Sequence, residues 1–341
     1  MCVLVGEEQT KLKSEEPALP KMIVLVGPTA SGKTDWALRL SKLYNAEIIS
    51  ADSRQVYKKM NIGTAKETGE WHWSGLHRVY MIGGVPHHLI DFLDPGKFFT
   101  MVEFHDEAIK IARSIVKNGK IPFVVGGTGL YVHALVDNLQ IPRVPPNKKL
   151  RKSLEEKTTE ELMVWLEKLD PETAQSVDRA NRRRVTRALE VCILSGAPFS
   201  GQQQKGAPLF DVLQIGIDIS RQILDERISV RVDKMMKLGL LAEIKDLLRQ
   251  KYSWELPAMS GIGYRQFQDY FENKADIDQC IENLKRDTRR YARRQLTWFK
   301  RDKRIRWCEN FSQVESLVRD FLGGKKVDEL PILPIKYANF E

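Results

Sequence analysis

The sequence is poor in cysteine. Cys2, Cys192, Cys280 and Cys308 are the only four in 341 residues and form no C-x-x-C pair. That spacing excludes a disulfide framework and a cysteine-based zinc site. Long apolar runs are missing too: none approaches the roughly 18 residues that a membrane helix needs. Residues 1–20 have neither the basic start nor the apolar centre of a signal peptide, since Glu7, Glu8, Glu15 and Glu16 lead to Pro17 and Pro20. They read as a flexible tail on a cytoplasmic protein. The adjacent His87 and His88, near Asp91 and Asp94, project to opposite sides of an extended chain and make poor joint metal ligands.

With 42% apolar and 29% charged residues the chain is globular, and its length suits one large domain with an insertion, or two domains. Its charge of +9 is unevenly spread. From Lys285 to Arg306 eleven Lys or Arg stand against two Asp, an excess equal to that of the whole chain. Arg179, Arg182, Arg183, Arg184 and Arg187 form a second cluster. Such patches point to a polyanion, nucleic acid above all, with a solvated helix face as the alternative.

The most specific stretch is Gly27-Pro28-Thr29-Ala30-Ser31-Gly32-Lys33-Thr34. An apolar strand-like run, Met22 to Val26, precedes it and a helical pattern from Asp35 follows, the context that a Walker A phosphate loop requires. Backbone N–H groups there cradle a di- or triphosphate, Lys33 reaches its terminal oxygens, and the Thr34 hydroxyl is placed to ligate Mg²⁺. A second strand, Ala46 to Ala51, delivers Asp52 to the crevice edge of a parallel sheet, where a carboxylate accepts a proton or caps a following helix. A third strand, Ile121 to Val125, ends in Gly126-Gly127-Thr128-Gly129. An ATPase places a magnesium-holding acid near this point, so the glycines argue against ATP turnover.

Residues 67–84 show no clear period and are expected to form a surface loop, and 196–208 another. Residues 148–194 are helical in pattern, and a strand returns at Val212 to Ile217. One helix is expected from Ile223 to Gln250, carrying Arg227 and Arg231 on one face, aimed at the phosphate loop or paired with Asp225 or Asp233. Leu284, Tyr291 and Trp298 recur at seven-residue spacing and are expected to pack inward. The predicted fold is α/β: a P-loop NTPase-like core with a parallel sheet flanked by helices, plus a small all-helical insertion. The boundaries expected are a tail at 1–20, core at 21–143, insertion at 144–195, core again at 196–310 and a tail at 311–341.

Taken together these stretches resemble the tRNA dimethylallyltransferases. The motifs are GPTASGKT at 27–34, DSRQVY at 52–57, IGTAK at 62–66, VPHHLID at 85–91, GGTGLY at 126–131, RALEV at 187–191, GIGYRQ at 261–266 and RRQLTWF at 293–299. The resemblance implies transfer of a dimethylallyl group from dimethylallyl diphosphate to the exocyclic amine of the adenosine 3′ to the anticodon. It implies that Lys33, Thr34 and Mg²⁺ hold the diphosphate with help from Arg227, that Asp52 accepts from the amine, and that Thr128 orients the reacting groups. Asp52, Ser53, Arg54, Gln55 and Thr128 would touch tRNA. So would Arg151, then Arg183, Arg184, Val185, Thr186 and Arg187, then Gly261, Ile262, Gly263, Tyr264, Arg265 and Gln266. The last such stretch is Arg293, Arg294, Gln295, Leu296, Thr297, Trp298, Phe299 and Lys300. A monomer is expected. Loop 67–84 is longer than the family pattern, Asn181-Arg182-Arg183-Arg184 replaces Asn-Pro-Gln-Arg, and no C-terminal zinc finger is present. The competing readings are an adenylate isopentenyltransferase acting on a free nucleotide and a P-loop kinase or ATPase.

Overall fold

The structure is a computed structural model and describes residues 18–74, 77–140, 142–202 and 204–337. Of the expected N-terminal tail, all but residues 18–20 lies outside the described residues, as does Cys2. In chain order the elements are β1 (Lys21–Val26), α1 (Lys33–Leu43), β2 (Ala46–Ser50), β3 (Glu70–Ser74), β4 (His77–Ile82), β5 (Val85–His88), α2 (Met101–Lys117), β6 (Ile121–Gly126), α3 (Gly129–Val136) and β7 (Leu139–Gln140). Four helices follow, α4 (Lys148–Glu155), α5 (Thr159–Leu169), α6 (Pro171–Ser176) and α7 (Arg182–Ser195). Then come β8 (Gln204–Lys205), β9 (Asp211–Ile217), α8 (Arg221–Lys237), α9 (Leu240–Arg249), α10 (Gln268–Phe271), α11 (Ile277–Phe299), β10 (Arg306–Cys308) and α12 (Phe311–Leu322).

Among the described residues one sheet of eight strands runs in the order β10-β9-β1-β6-β2-β5-β4-β3. The six strands from β10 to β5 are parallel, and β4 and β3 add an antiparallel edge. The parallel strands are apolar almost throughout, as strands covered on both faces must be: Met22 to Val26 and Phe123 to Val124 are at most 1% exposed. β1 to β2 and β5 to β6 cross the sheet in opposite directions, so right-handed crossovers put α1 and α2 on opposite faces. All six parallel strands therefore open their carboxyl ends along one edge, where the loops after β1, β2 and β6 meet.

Four expectations change. Residues 70–74 and 77–82 form paired antiparallel strands rather than a loop, because Trp71 and Trp73 alternate with polar residues and pair with Tyr80 and Arg78. The helix expected over 223–250 is two, broken where Gly239 adopts a left-handed φ of 94°. The stretch 196–208 includes β8, which pairs with β7 and ties together the two ends of the insertion. The C-terminal tail begins as α12, whose Val314, Leu317, Val318 and Phe321 are buried against the sheet, and β10 just before it is a strand no pattern announced. Helices α4, α5, α6 and α7 close on a core of their own around Leu162, Leu166, Val185 and Leu189. Cys192, Cys280 and Cys308 are free and buried. No helix among the described residues is long and apolar enough to cross a membrane.

Candidate active site

β1 ends at Val26, and the chain turns through Gly27 to Gly32 into α1. Ala30 and Gly32 both take left-handed φ values, 63° and 94°. No side chain caps α1, so its first N–H groups and positive dipole end are left to an anion. The Ser31 hydroxyl is buried in the same turn without a partner. Lys33 Nζ donates to the Pro28 carbonyl at 3.1 Å. Burial lowers the Lys33 pKa to about 8, with the Asp52 carboxylate raising it and the Arg231 guanidinium lowering it. An anion bound here would favour the charged form of Lys33.

α8 supplies the positive groups on the other side of the loop. Arg227 Nη1 donates to the Ser31 carbonyl at 3.1 Å and Arg231 Nη1 to Thr29 Oγ1 at 3.3 Å. Asp225 and Asp233 instead pair with Arg221, Arg289 and Lys285. Both arginines therefore serve the phosphate loop.

At the end of β2, Asp52 opens no helix: its Oδ1 accepts the N–H groups of Arg54 and Gln55 at 2.8 and 3.3 Å, closing a turn. The second oxygen stays open to the cleft. Thr128 Oγ1 accepts the Ser53 N–H at 3.0 Å, so the loops after β2 and β6 are joined. Tyr291 stands beside Asp52 and Thr128, its pKa pushed up to about 12, by burial first and by the Asp52 charge second. Gln295 Oε1 accepts the Thr29 N–H at 2.8 Å while its Nε2 donates to the Gly127 carbonyl at 2.8 Å. One side chain of α11 thus braces two loops of the site.

Most of these groups, Arg231 but not Arg227 among them, line a cleft of about 1250 Å³ that runs from the phosphate loop to the insertion. Its walls include Thr29, Ala30, Gly32, Lys33, Thr34, Asp52 to Gln55, Gly127, Thr128, Arg231, Arg265, Tyr291, Arg294 and Trp298, and on the insertion side Arg183, Arg184 and Arg187. The glycines after β6 have a packing reason. A Cβ on Gly129 would lie 2.1 Å from Cδ1 of Trp298, so the indole enters the cleft wall only because that position is bare.

The stretches expected to touch nucleic acid divide by burial. Arg183, Arg184, Arg293, Arg294 and Thr297 are exposed, and Thr186, Lys300, Ile262 and Trp298 are half-buried. Val185, Tyr264, Leu296 and Phe299 are buried at 2% exposure or less. Their side chains cannot meet an RNA; they pack the elements that carry their neighbours. Gln266 and Gln295 are likewise committed inside, Gln266 to Gly263 N–H and Asp287. Gly263, with φ 105°, lets the 261–266 turn approach Gly63, where a Cβ would stand 2.1 Å from the Gly63 oxygen. Tyr264 and the backbone of residues 61–63 share the Glu243 carboxylate. Arg54 Nη1 bonds the Pro257 carbonyl, and Arg265 Nη2 bonds Asp287 at 3.2 Å.

Two residues had no signal of their own. Glu190, fully buried, accepts Arg151 Nε and Nη2, Arg187 Nη1 and the Asn147 N–H at 2.7 to 2.8 Å. Arg151 and Arg187 are thus held in place before any ligand arrives. The clue available was a lone acid on the inward face of α7, three residues after Arg187. Tyr291, whose seven-residue spacing from Leu284 and Trp298 points it to the core, instead lines the cleft. His87 bonds the Val85 carbonyl, His88 bonds Glu47, and Asp91 bonds Lys66. Among the described residues no group of three or more His, Cys, Asp or Glu stands close enough to hold a metal alone.

Residues 55–302 match the family described as IPP transferase. The tRNA dimethylallyltransferase of Pelotomaculum thermopropionicum is 38% identical over 314 residues, which cover 90% of this chain and 97% of that protein. That of Shouchella clausii is 43% identical, covering 89% and 97%. The crystal structure of the tRNA isopentenylpyrophosphate transferase of Bacillus halodurans aligns with a TM-score of 0.64 at 34% identity, over 91% of this chain and 97% of that one. A eukaryotic dimethylallyltransferase acting on tRNA gives a TM-score of 0.73 at 27% identity, over 92% and 82%.

Proposed function

Since the chain belongs to the IPP transferase family, we propose that it transfers a dimethylallyl group from dimethylallyl diphosphate to tRNA. The acceptor is the exocyclic 6-amino group of the adenosine 3′-adjacent to the anticodon, and diphosphate leaves. The observation that carries this reading is a phosphate loop and an open carboxylate, Asp52, lining one cleft whose far wall is the arginine-bearing α7. Beside β1, the strand β6 ends in glycines instead of an acid, so nothing in that position prepares water for attack on a phosphate.

The arrangement supports the following steps. Lys33, Arg231 and the N–H groups of the loop would surround the diphosphate, with Arg227 beside them on the Ser31 carbonyl, and negative charge grows on the diphosphate as the carbon–oxygen bond breaks. Fixed donors therefore stabilise the transition state more than the ground state. The adenine nitrogen forms the new bond to the allylic carbon, and its proton passes to the Asp52 carboxylate. Thr128, held by Ser53, fixes the loop that faces the amine. An aromatic amine is a weak nucleophile, so alignment supplies much of the rate. The adenosine reaches the cleft by leaving its stack in the single-stranded loop. The donor set fits Mg²⁺ that arrives on the diphosphate, because one hydroxyl, Thr34, and no acidic cage is what such an ion needs from the protein. The ion would neutralise charge on the leaving group.

A mononucleotide would need neither the insertion nor the exposed arginines of α7 and α11, which favours tRNA over free AMP. We read the enzyme as a monomer working in the cytoplasm. Labelled dimethylallyl diphosphate offered with unmodified tRNA, AMP and ATP side by side tests the reading. Label at the adenosine beside the anticodon is expected; label in AMP or ATP alone, or in no acceptor, would refute it.

A further inference from the structure

A second, much smaller cavity of about 30 Å³ lies under α1, and Thr34, Ser50, Gln55, Glu67 and His87 supply its polar walls. A water needs about 10–15 Å³ and two to four polar partners, so the space takes one or two. His87 is 5% exposed. Its Nδ1 stands 2.9 Å from the Val85 carbonyl oxygen, and only an N–H satisfies a carbonyl, so the proton sits on Nδ1 and Nε2 carries a lone pair. Burial lowers the His87 pKa to about 4 and keeps the ring neutral. Nε2 is nevertheless buried without a partner. Buried acceptors are rarely left so. The Thr34 hydroxyl also bonds no protein group among the described residues.

We propose that an ordered water fills this cavity, accepting the Thr34 hydroxyl hydrogen and donating one of its own to His87 Nε2, which makes His87 a positioning residue for Thr34. With its hydrogen committed inward, Thr34 turns its lone pairs to the cleft, the orientation a cation on the diphosphate requires. Outer partners of metal ligands act in this way. The inference rests on the reading of Thr34 as the magnesium ligand.

The test separates the two. Mg²⁺ and inorganic pyrophosphate are titrated calorimetrically into the full chain without tRNA, so that no turnover is needed. His87→Phe, which keeps a ring but removes the acceptor, is expected to weaken magnesium-dependent pyrophosphate binding about tenfold, while His87→Gln, which restores an acceptor, recovers most of it. The Michaelis constant for tRNA stays unchanged in both. In the wild-type protein a crystal structure shows one water within hydrogen-bond reach of Thr34 Oγ1 and His87 Nε2, and ¹⁵N shifts show Nε2 unprotonated. A dry cavity, a protonated Nε2, or His87→Phe binding like wild type would overturn the proposal even if Thr34→Val binds poorly. Thr34→Val binding like wild type would instead remove the magnesium reading on which it stands.

Discussion

Glu190→Gln is the most informative substitution outside the reacting centre. The carboxylate is fully buried and receives four hydrogen bonds, three of them from guanidinium groups. Burial alone would raise its pKa; the bonds from Arg151, Asn147 and Arg187 outweigh that and hold it down to about 2, against an ordinary 4.5. A depression of that size corresponds to about 3 kcal/mol of stabilisation. Arg151 and Arg187 are 40% and 32% exposed, so solvent takes up part of the loss when the charge is removed, and about 2–3 kcal/mol is expected.

Because the folded pKa lies below the unfolded one, this stabilisation is complete above about pH 4.5 and disappears as pH falls through about 2. Hydrogen exchange at the buried amides of α7, such as Val185 and Leu189, reads it directly. At pH 7 the Glu190→Gln substitution should raise local opening about 30- to 150-fold, and the gap from wild type should narrow steadily on acidification below pH 4.5. A gap that stays constant with pH, or one under about 1 kcal/mol at pH 7, would refute the assignment of Glu190 as the anchor of Arg151 and Arg187.

Asp52→Ala should leave tRNA affinity roughly intact and cut single-turnover prenylation by about 10² or more, since it removes the proposed proton acceptor; an unchanged rate would take Asp52 out of the mechanism. Gly129→Ala puts a methyl 2.1 Å from the Trp298 indole and should displace that ring, seen as altered tryptophan fluorescence together with slower transfer. Arg183, Arg184, Arg293 and Arg294 are exposed and bond no carboxylate among the described residues. If each meets a phosphate, log affinity for tRNA should fall with log salt at a slope near −3, and Arg183→Ala with Arg184→Ala should flatten it by about 1.5. A salt-insensitive affinity would contradict the basic footprint.

The phosphate loop, the strands on either side of it and the placing of Arg227 and Arg231 against that loop were legible in the sequence because each rests on local pattern: a fixed spacing of glycines, an apolar run, a four-residue interval on a helix. The antiparallel pair at 70–74 and 77–82 was not, since its strands are short and its alternation mixes tryptophan with histidine and arginine. Three-residue β10 was hidden in a basic run, where its backbone pairing to β9 depends on neighbours far away in sequence. The burial of Tyr264, Leu296 and Phe299 illustrates a general limit. A motif marks a stretch, but on a helix or in a turn its residues face several directions, and only the packing shows which ones face the ligand.

The same division explains how one helix serves both substrates. α11 turns Leu296 and Phe299 into the core, Gln295 to the phosphate and Gly127 loops, Tyr291 and Trp298 to the cleft, and its arginines outward. If RNA is drawn to those arginines, it presses on an element that also braces the phosphate loop, and the link is two hydrogen bonds made by one buried amide. Coupling between acceptor and donor would then need no large movement, since a shift of α11 along its axis would reach Thr29 and Gly127 together. By the same reasoning a change at Gln295 should disturb donor binding although the residue sits within a stretch whose composition speaks only of nucleic acid.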